Sequence, residues 1–187
     1  MPKKGTYTAK QKKALYARMR KKYTSMGTPS GFPTSQRTKS RYSTSKLLTS
    51  TTGTLGSTVF RCNSIYDPDY TSTGHSAFMF DQMSAIYNHY VVVSATINIR
   101  VVPQGDSIEP FVSGVYLTDT ATVPYTGYNE FIEAKKGTTR VMSGGVGGKS
   151  GNYKTSFNAK KFFNITDIRD VSRIGGLSNG NPTEEAY

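Results

Sequence analysis

The chain has 187 residues and a net charge of +12, from 24 Lys and Arg against 12 Asp and Glu. Its single cysteine, Cys62, excludes an intrachain disulfide, and no apolar run is long enough to span a bilayer. Abundant Val, Ile, Phe and Tyr with many Gly, Ser and Thr favour strands and turns over helices.

The first 46 residues hold thirteen of the positive charges and no acid, whereas residues 47–187 hold eleven Lys and Arg against twelve acids. A solvated tail is the simpler interpretation of a charge run, but such a tail usually contains acids as well. We therefore predict that residues 1–46, the basic arm, bind nucleic acid by neutralising phosphates. The predicted contacts are Lys3, Lys4, Lys10, Lys12, Lys13, Arg18, Arg20, Lys21, Lys22, Arg37, Lys39, Arg41 and Lys46.

Residues 12–22 of the basic arm also have the composition of a nuclear-import signal, which predicts host nuclear-import receptors as partners. The following residues, 47–56, are predicted to be a linker because they are rich in Ser, Thr and Gly. Residues 57–187 then form the body, which is predicted to be antiparallel and all-β. Within it, residues 81–87 are expected to form a short helix and residues 90–102, with alternating apolar side chains, the clearest strand.

Several motifs in the body are candidates for chemical sites. The glycine-rich stretch 144–150 lacks the first glycine of a phosphate-binding loop, since position 143 is Ser, and is interpreted as a surface hairpin loop. Asp67 and Asp69 are weak candidates for a calcium site, with a turn capped by its own side chains as the preferred interpretation. One cysteine and two histidines cannot form a Cys/His zinc cluster. Nothing in the local sequence supports a Cys62–His–Asp nucleophilic set either, so no catalytic residue and no cofactor is predicted.

One stretch carries information beyond composition: FRCNSIYDPD at residues 60–69 and FDQMSAIYNHYVV at residues 80–92. It resembles the capsid proteins of circular Rep-encoding single-stranded DNA viruses (the CRESS-DNA group) and is also similar to some coat proteins of small plant RNA viruses. Later landmarks of the same kind are KKFF at residues 160–163 and NPTEEAY at residues 181–187.

The resemblance implies a single jelly-roll, with eight strands B to I in two sheets ordered BIDG and CHEF. Residues 57–187 would supply strands B to G, and the chain is expected to stop before strands H and I. The implied strands are B at 57–66, C at 88–102, D at 109–118, E at 138–142, F at 153–163 and a short G after it.

The function that follows from the resemblance is that of a structural protein, not an enzyme. About sixty copies would form a small icosahedral shell, and the basic arm would package the viral genome, single-stranded DNA in preference to RNA. The protein would lie in the virion and, during infection, in the host nucleus, with no membrane contact. The alternative is a cellular single-stranded nucleic-acid-binding module, an OB-like barrel with a basic tail.

Overall fold

The computed structural model describes residues 31–50, 55–104, 109–134, 137–145, 148–168 and 172–187, together with Ala9 and Lys13. The chain divides into two units, Met1–Arg37 and Thr38–Tyr187. In the first unit, residues 31–37 are exposed and have no regular secondary structure. The regular elements between residues 31 and 187 all lie in the second unit.

That second unit contains short helices and antiparallel strands. In chain order they are α1 (Phe80–Ser84), β1 (His89–Tyr90), β2 (Ser94–Val101), β3 (Phe111–Tyr116), α2 (Tyr128–Glu133), β4 (Gly137–Met142), β5 (Gly151–Asn158), α3 (Ala159–Phe162), a 3-10 turn (Ser172–Ile174) and β6 (Gly176–Leu177). With most regular residues in strands and few in helices, the all-β prediction is confirmed at the level of fold class.

The strands form three antiparallel pairs, β1 with β6, β2 with β5 and β3 with β4. In the order BIDG and CHEF, strands C and F lie at opposite edges of one sheet, and D and E lie in different sheets. The structure instead pairs β2, at the position of C, directly with β5, at the position of F, and β3 with β4. The pairing among the described residues therefore differs from the one that the resemblance implies.

The longest pair, β2 with β5, forms because the two strands have matching apolar faces. In β2, Ile97 and Ile99 are half-buried and alternate with exposed polar residues. In β5, Tyr153 and Phe157 are buried, and Tyr153 is the direct partner of Ile99 in the register. A shift of one residue would turn both apolar faces into solvent, so this alternation fixes the register.

The hydrophobic core lies on the inner side of this pair. Phe157 is 1 % exposed and contacts the rings of Phe162 and Phe163 edge-on, with ring centroids 5.5 and 6.1 Å away. The other buried members of the cluster come from several segments of the chain: Cys62, Ala159, Ile168, Ile174 and Ala186. β5 ends at Asn158, earlier than the strand to residue 163 that was expected, because the Asn158 side chain accepts a hydrogen bond from the Lys161 amide and begins α3.

The β3–β4 pair is covered on one face by α2, a helix that the sequence did not predict. Gly114 in β3 makes this possible, because a Cβ at that position would lie 2.3 Å from the Phe131 ring. Phe131 then packs against Tyr116 and Tyr125, with ring centroids 5.6 Å away in each case. The opposite face of the pair is turned towards β5, where the Ser113 main-chain oxygen accepts a hydrogen bond from the Tyr153 hydroxyl at 3.0 Å.

Residues 57–66 do not form the strand that was expected, and their only ladder contact is an isolated bridge between Phe60 and Asp69. Their polar groups bond instead to residues 184–186. The Cys62 amide donates to the Ala186 oxygen at 2.6 Å, and the buried Asn63 side chain donates to the Glu184 oxygen and accepts from the Ala186 amide. The prediction failed because bonds from the Cys62 main chain and the Asn63 side chain to residues 184–186 take the place of a strand ladder.

Beside this contact, three charged side chains form what we call the Arg61 clasp. Arg61 Nε donates to Glu185 at 2.8 Å, and Nη1 donates to Asp67 at 3.1 Å. The three side chains are only 8, 14 and 15 % exposed, in the order Arg61, Glu185 and Asp67. Tyr187 also donates its hydroxyl to Glu185, and burial, reinforced by this carboxylate, raises the pKa of Tyr187. The clasp thereby ties residues 61–69 to residues 184–187.

Candidate nucleic-acid interface

The structure describes five of the thirteen cations predicted for the basic arm. Lys13 is exposed, and so are Arg37, Lys39 and Arg41, none of which pairs with a carboxylate of the described residues. The other eight, Lys3, Lys4, Lys10, Lys12, Arg18, Arg20, Lys21 and Lys22, lie outside the described residues. Four of the five described cations lie at residues 37–46, the end of the basic arm that is next to the body in sequence.

That end of the basic arm, residues 40–46, is in contact with residues 69–78 of the body. The Phe78 amide donates to the Arg41 oxygen at 2.7 Å, and Ser40 Oγ donates to the Phe78 oxygen at 2.6 Å. The Tyr42 ring lies 4.7 Å from the His75 ring between centroids. Such paired main-chain and ring contacts hold the segment at a defined place on the body.

Lys46, the last predicted contact, forms an ion pair with Asp69, whose side chain is fully buried. Burial alone would raise the pKa of the Asp69 carboxyl, but hydrogen bonds from Lys46 and Thr71 and the Lys46 charge outweigh it and lower that pKa. A buried carboxylate without a counter-charge is strongly unfavourable. The charge of Lys46 is therefore matched by a carboxylate of the body, and its contact with nucleic acid stays a prediction.

The two carboxylates that were weighed as a calcium site are each matched by a cation. Asp67 accepts from Arg61, and Asp69 accepts from Lys46 and, through Oδ1, from the Thr71 amide and hydroxyl at 3.1 and 2.7 Å. The Thr71 bonds are those of a turn capped by its own side chain. Among the described residues, no group of three or more His, Cys, Asp or Glu is arranged to hold a metal ion.

The glycine-rich stretch and Cys62 were the remaining candidates for a chemical site. Ser150 is followed directly by β5, where a phosphate-binding loop needs a helix, and β4 and β5 pair with other strands instead of forming the expected hairpin. Burial raises the pKa of the Cys62 thiol to about 12, so little thiolate forms near neutral pH.

The body carries a basic surface that the prediction did not include. An open groove of about 500 Å³ lies where β4 approaches the β2–β5 pair, and its rim holds three cations, Arg100, Arg140 and Lys154. The sequence did contain a signal, because alternation with Ile97 and Ile99 places Arg100 on the outer face of β2. The approach of β4 is a tertiary feature that alternation does not give.

Comparison with protein-family models, with curated proteins and with solved structures finds no match for this chain. Among the described residues, no helix is both long and apolar enough to cross a membrane.

Proposed function

We propose that this chain is a viral capsid protein, which self-assembles into a small icosahedral shell and packages single-stranded DNA through its basic arm. The observation that carries the proposal is the separation of charge: thirteen cations and no acid in residues 1–46, against a net charge of −1 in residues 47–187. The virion and the nucleus of the infected host are the proposed locations, with import receptors as further partners.

Counterion release gives the physical basis for packaging. Each Lys or Arg that approaches a phosphate releases a condensed cation, so affinity is high, independent of sequence and steeply dependent on salt. Lys46 is paired with Asp69, and the other twelve of the thirteen cations are left to neutralise phosphates. A nearly neutral body suits a shell, because strongly like-charged walls would repel each other when copies come together.

Lateral assembly is supported by apolar side chains that the subunit leaves in solvent. Phe78 is 70 % exposed, Val141 69 % and Val102 53 %. Contiguous apolar patches are typical of protein–protein contact sites, and we propose that these three side chains lie in the lateral contacts. The two-stranded sheets also leave main-chain edges to which further strands can add. We propose that neighbouring copies add strands at those edges. A single jelly-roll would in addition require β2 and β5 to separate, because strands C and F lie at opposite edges of the sheet CHEF.

Electron microscopy of the purified chain, combined with its ultraviolet absorbance ratio after nuclease treatment, tests the proposal. We expect closed particles that contain nuclease-protected nucleic acid. A stable monomer that binds an oligonucleotide without assembling would contradict the capsid function and favour an OB-like module.

A variant of the basic arm tests the packaging role separately. Changing the ten Lys and Arg between Lys3 and Arg37 to Gln leaves residues 40–46, which contact the body, unaltered. We expect particles to form with at least about tenfold less protected nucleic acid, since ten phosphate contacts are lost. A matched control, Lys160→Gln with Lys161→Gln, removes exposed charge from α3 and should leave the content unchanged. Normal nucleic-acid content in the arm variant would refute the packaging role.

A further inference from the structure

The outer face of the β2–β5 pair, which leads into the groove, consists of polar and basic residues. The exposed positions of β2 are Ser94, Thr96, Asn98 and Arg100, and those of β5 are Asn152, Lys154, Ser156 and Asn158. All eight are polar, two are cations and none is an acid. Eight-residue strands extend for about 26 Å, so the outer face forms a polar track that leads into the groove.

The cations at the end of the track are close neighbours. Arg100 is directly opposite Asn152 in the register, and Lys154 is two residues further along β5. Diagonal neighbours of this kind lie about 7–8 Å apart in an antiparallel pair. Neither cation pairs with a carboxylate of the described residues, so their mutual repulsion is not relieved within that part of the chain.

A third cation enters from β4. The Arg140 guanidinium carbon lies 5.5 Å from the centroid of the Tyr153 ring, and the Tyr153 hydroxyl is in turn bonded to Ser113. The buried ring therefore orients Arg140 while its residue remains exposed. Within the described residues, this cation too has no carboxylate partner.

The chemistry of the rim indicates which polyanion fits. Guanidinium, ammonium, amide and hydroxyl groups, supplied here by Arg100, Lys154, Asn98 and Thr138 among others, are the donors that bind phosphate and sugar oxygens. Tyr153, the aromatic residue of the rim, is 4 % exposed and is not available for base stacking. An extended polar track that ends at three cations suits a flexible phosphate backbone better than an acidic protein, which usually anchors through apolar side chains.

We infer that the groove lined by Arg100, Arg140 and Lys154 is a second nucleic-acid site, which holds the backbone of a single strand independently of base sequence. The inference rests on the proposed function and extends it, because the body as well as the basic arm then contacts the packaged strand. The arm collects the strand, and the groove fixes part of its path on the wall.

The test compares two full-length double variants that remove the same charge. Arg100→Gln with Lys154→Gln alters the groove, and Lys160→Gln with Lys161→Gln alters α3. Binding of a fluorescent thirty-nucleotide oligo-dT is measured by anisotropy between 50 and 300 mM salt. Because each phosphate contact contributes about 0.7 to the log–log salt slope of a single strand, we expect the groove variant to lose about 1.4 and its Kd at 0.1 M salt to rise about 25-fold.

The control variant is expected to change the slope and the Kd far less. Equal effects of the two double variants on oligo-dT binding would overturn the inference, because any two cations of the body would then contribute equally to binding. If only the variant of the basic arm loses affinity, the groove inference fails and the proposed function stands. If the unaltered chain does not bind oligo-dT, both fail. Competition by poly-glutamate at equal charge concentration would overturn the assignment in favour of an acidic protein.

A second measurement uses the unaltered chain and does not depend on the folding of any variant. Acetylation of lysines with and without oligo-dT is followed by mass spectrometry. We expect Lys154 to be protected several-fold while Lys160 and Lys161, exposed in α3, react as before. Unchanged reactivity of Lys154 at saturating oligo-dT would overturn the inference.

Discussion

Replacing Arg61 by Met tests how the body is held together. The change keeps most of the apolar stem of the side chain and removes its charge. Asp67 and Glu185, 15 and 14 % exposed, would then remain close together and largely desolvated without a cation. Removing one partner of a buried ion pair typically costs about 3–5 kcal/mol of unfolding free energy, and we expect a loss in this range.

The chain contains a matched control in Arg173→Met. Arg173 pairs with Glu184, the residue next to Glu185, at 2.6 Å against 2.8 Å in the clasp, but these side chains are 54 and 44 % exposed. Exposed ion pairs contribute about 0–1 kcal/mol. Arg61 also pairs with Asp67, donates to the main-chain oxygens of Asp67 and Asp69 and lies over the Tyr70 ring. The difference between the variants therefore measures the effect of burial together with that of these additional contacts.

Urea unfolding followed by circular dichroism gives the free energies, and thermal unfolding gives a second measure. For a chain of this length, 1 kcal/mol corresponds to about 2–4 °C, so Arg61→Met should lower the Tm by about 6–20 °C and Arg173→Met by less than about 4 °C. The triple variant R61M/D67N/E185Q should be more stable than Arg61→Met alone, because it removes the unpaired charges. Equal losses in the two single variants, or a triple variant less stable than R61M, would refute the reasoning.

Three further outcomes are expected. Asp69→Asn should have a lower free energy of unfolding than the unaltered chain at pH 7, and this difference should narrow below about pH 4. A carboxyl whose pKa is lowered on folding stabilises the fold at pH values above its unfolded pKa and loses that contribution as the pH falls. A difference that stays constant in urea unfolding down to pH 3 would contradict this. Labelling of Cys62 by a thiol-specific reagent should be about a thousandfold slower in the folded chain than in urea, since its pKa rises from 9.0 to about 12, and equal rates would show that the thiol is accessible. Phe157→Ala should cost about 3–5 kcal/mol in urea unfolding, whereas the same truncation of Phe78, which is 70 % exposed, should cost little; similar losses would place the core elsewhere.

The strands that alternation predicts are largely present. β2 and β4 lie within the predicted ranges or within one residue of them, because their alternating apolar residues encode which face is buried. Residues 57–66 were misjudged for the opposite reason. Their conformation depends on bonds to residues 184–186, and contacts over such separations leave no periodic pattern in the local sequence.

For the candidate sites too, the sequence showed local charge but not the contacts between residues that are distant along the chain. Charge composition alone identified the basic arm, but it could not show that Lys46 is paired with Asp69, 23 residues further along the chain. The groove was missed because its cations come from three strands, and which strands meet is decided by tertiary packing. Arg100 could be assigned to an outer face from sequence, whereas its proximity to Arg140 could not.

The hydrogen bonds between residues 61–63 and 184–186 also have a consequence for the rate of folding. They join residues 121 to 124 positions apart, so nearly the whole body must be ordered or looped out before they form. Closing so long a loop carries a large entropy cost ahead of any gain, and chains with such distant contacts fold slowly. During translation, the Arg61 clasp cannot form until Glu185 has left the ribosome. The basic arm therefore reaches solvent, and any polyanion nearby, well before the body behind it has closed.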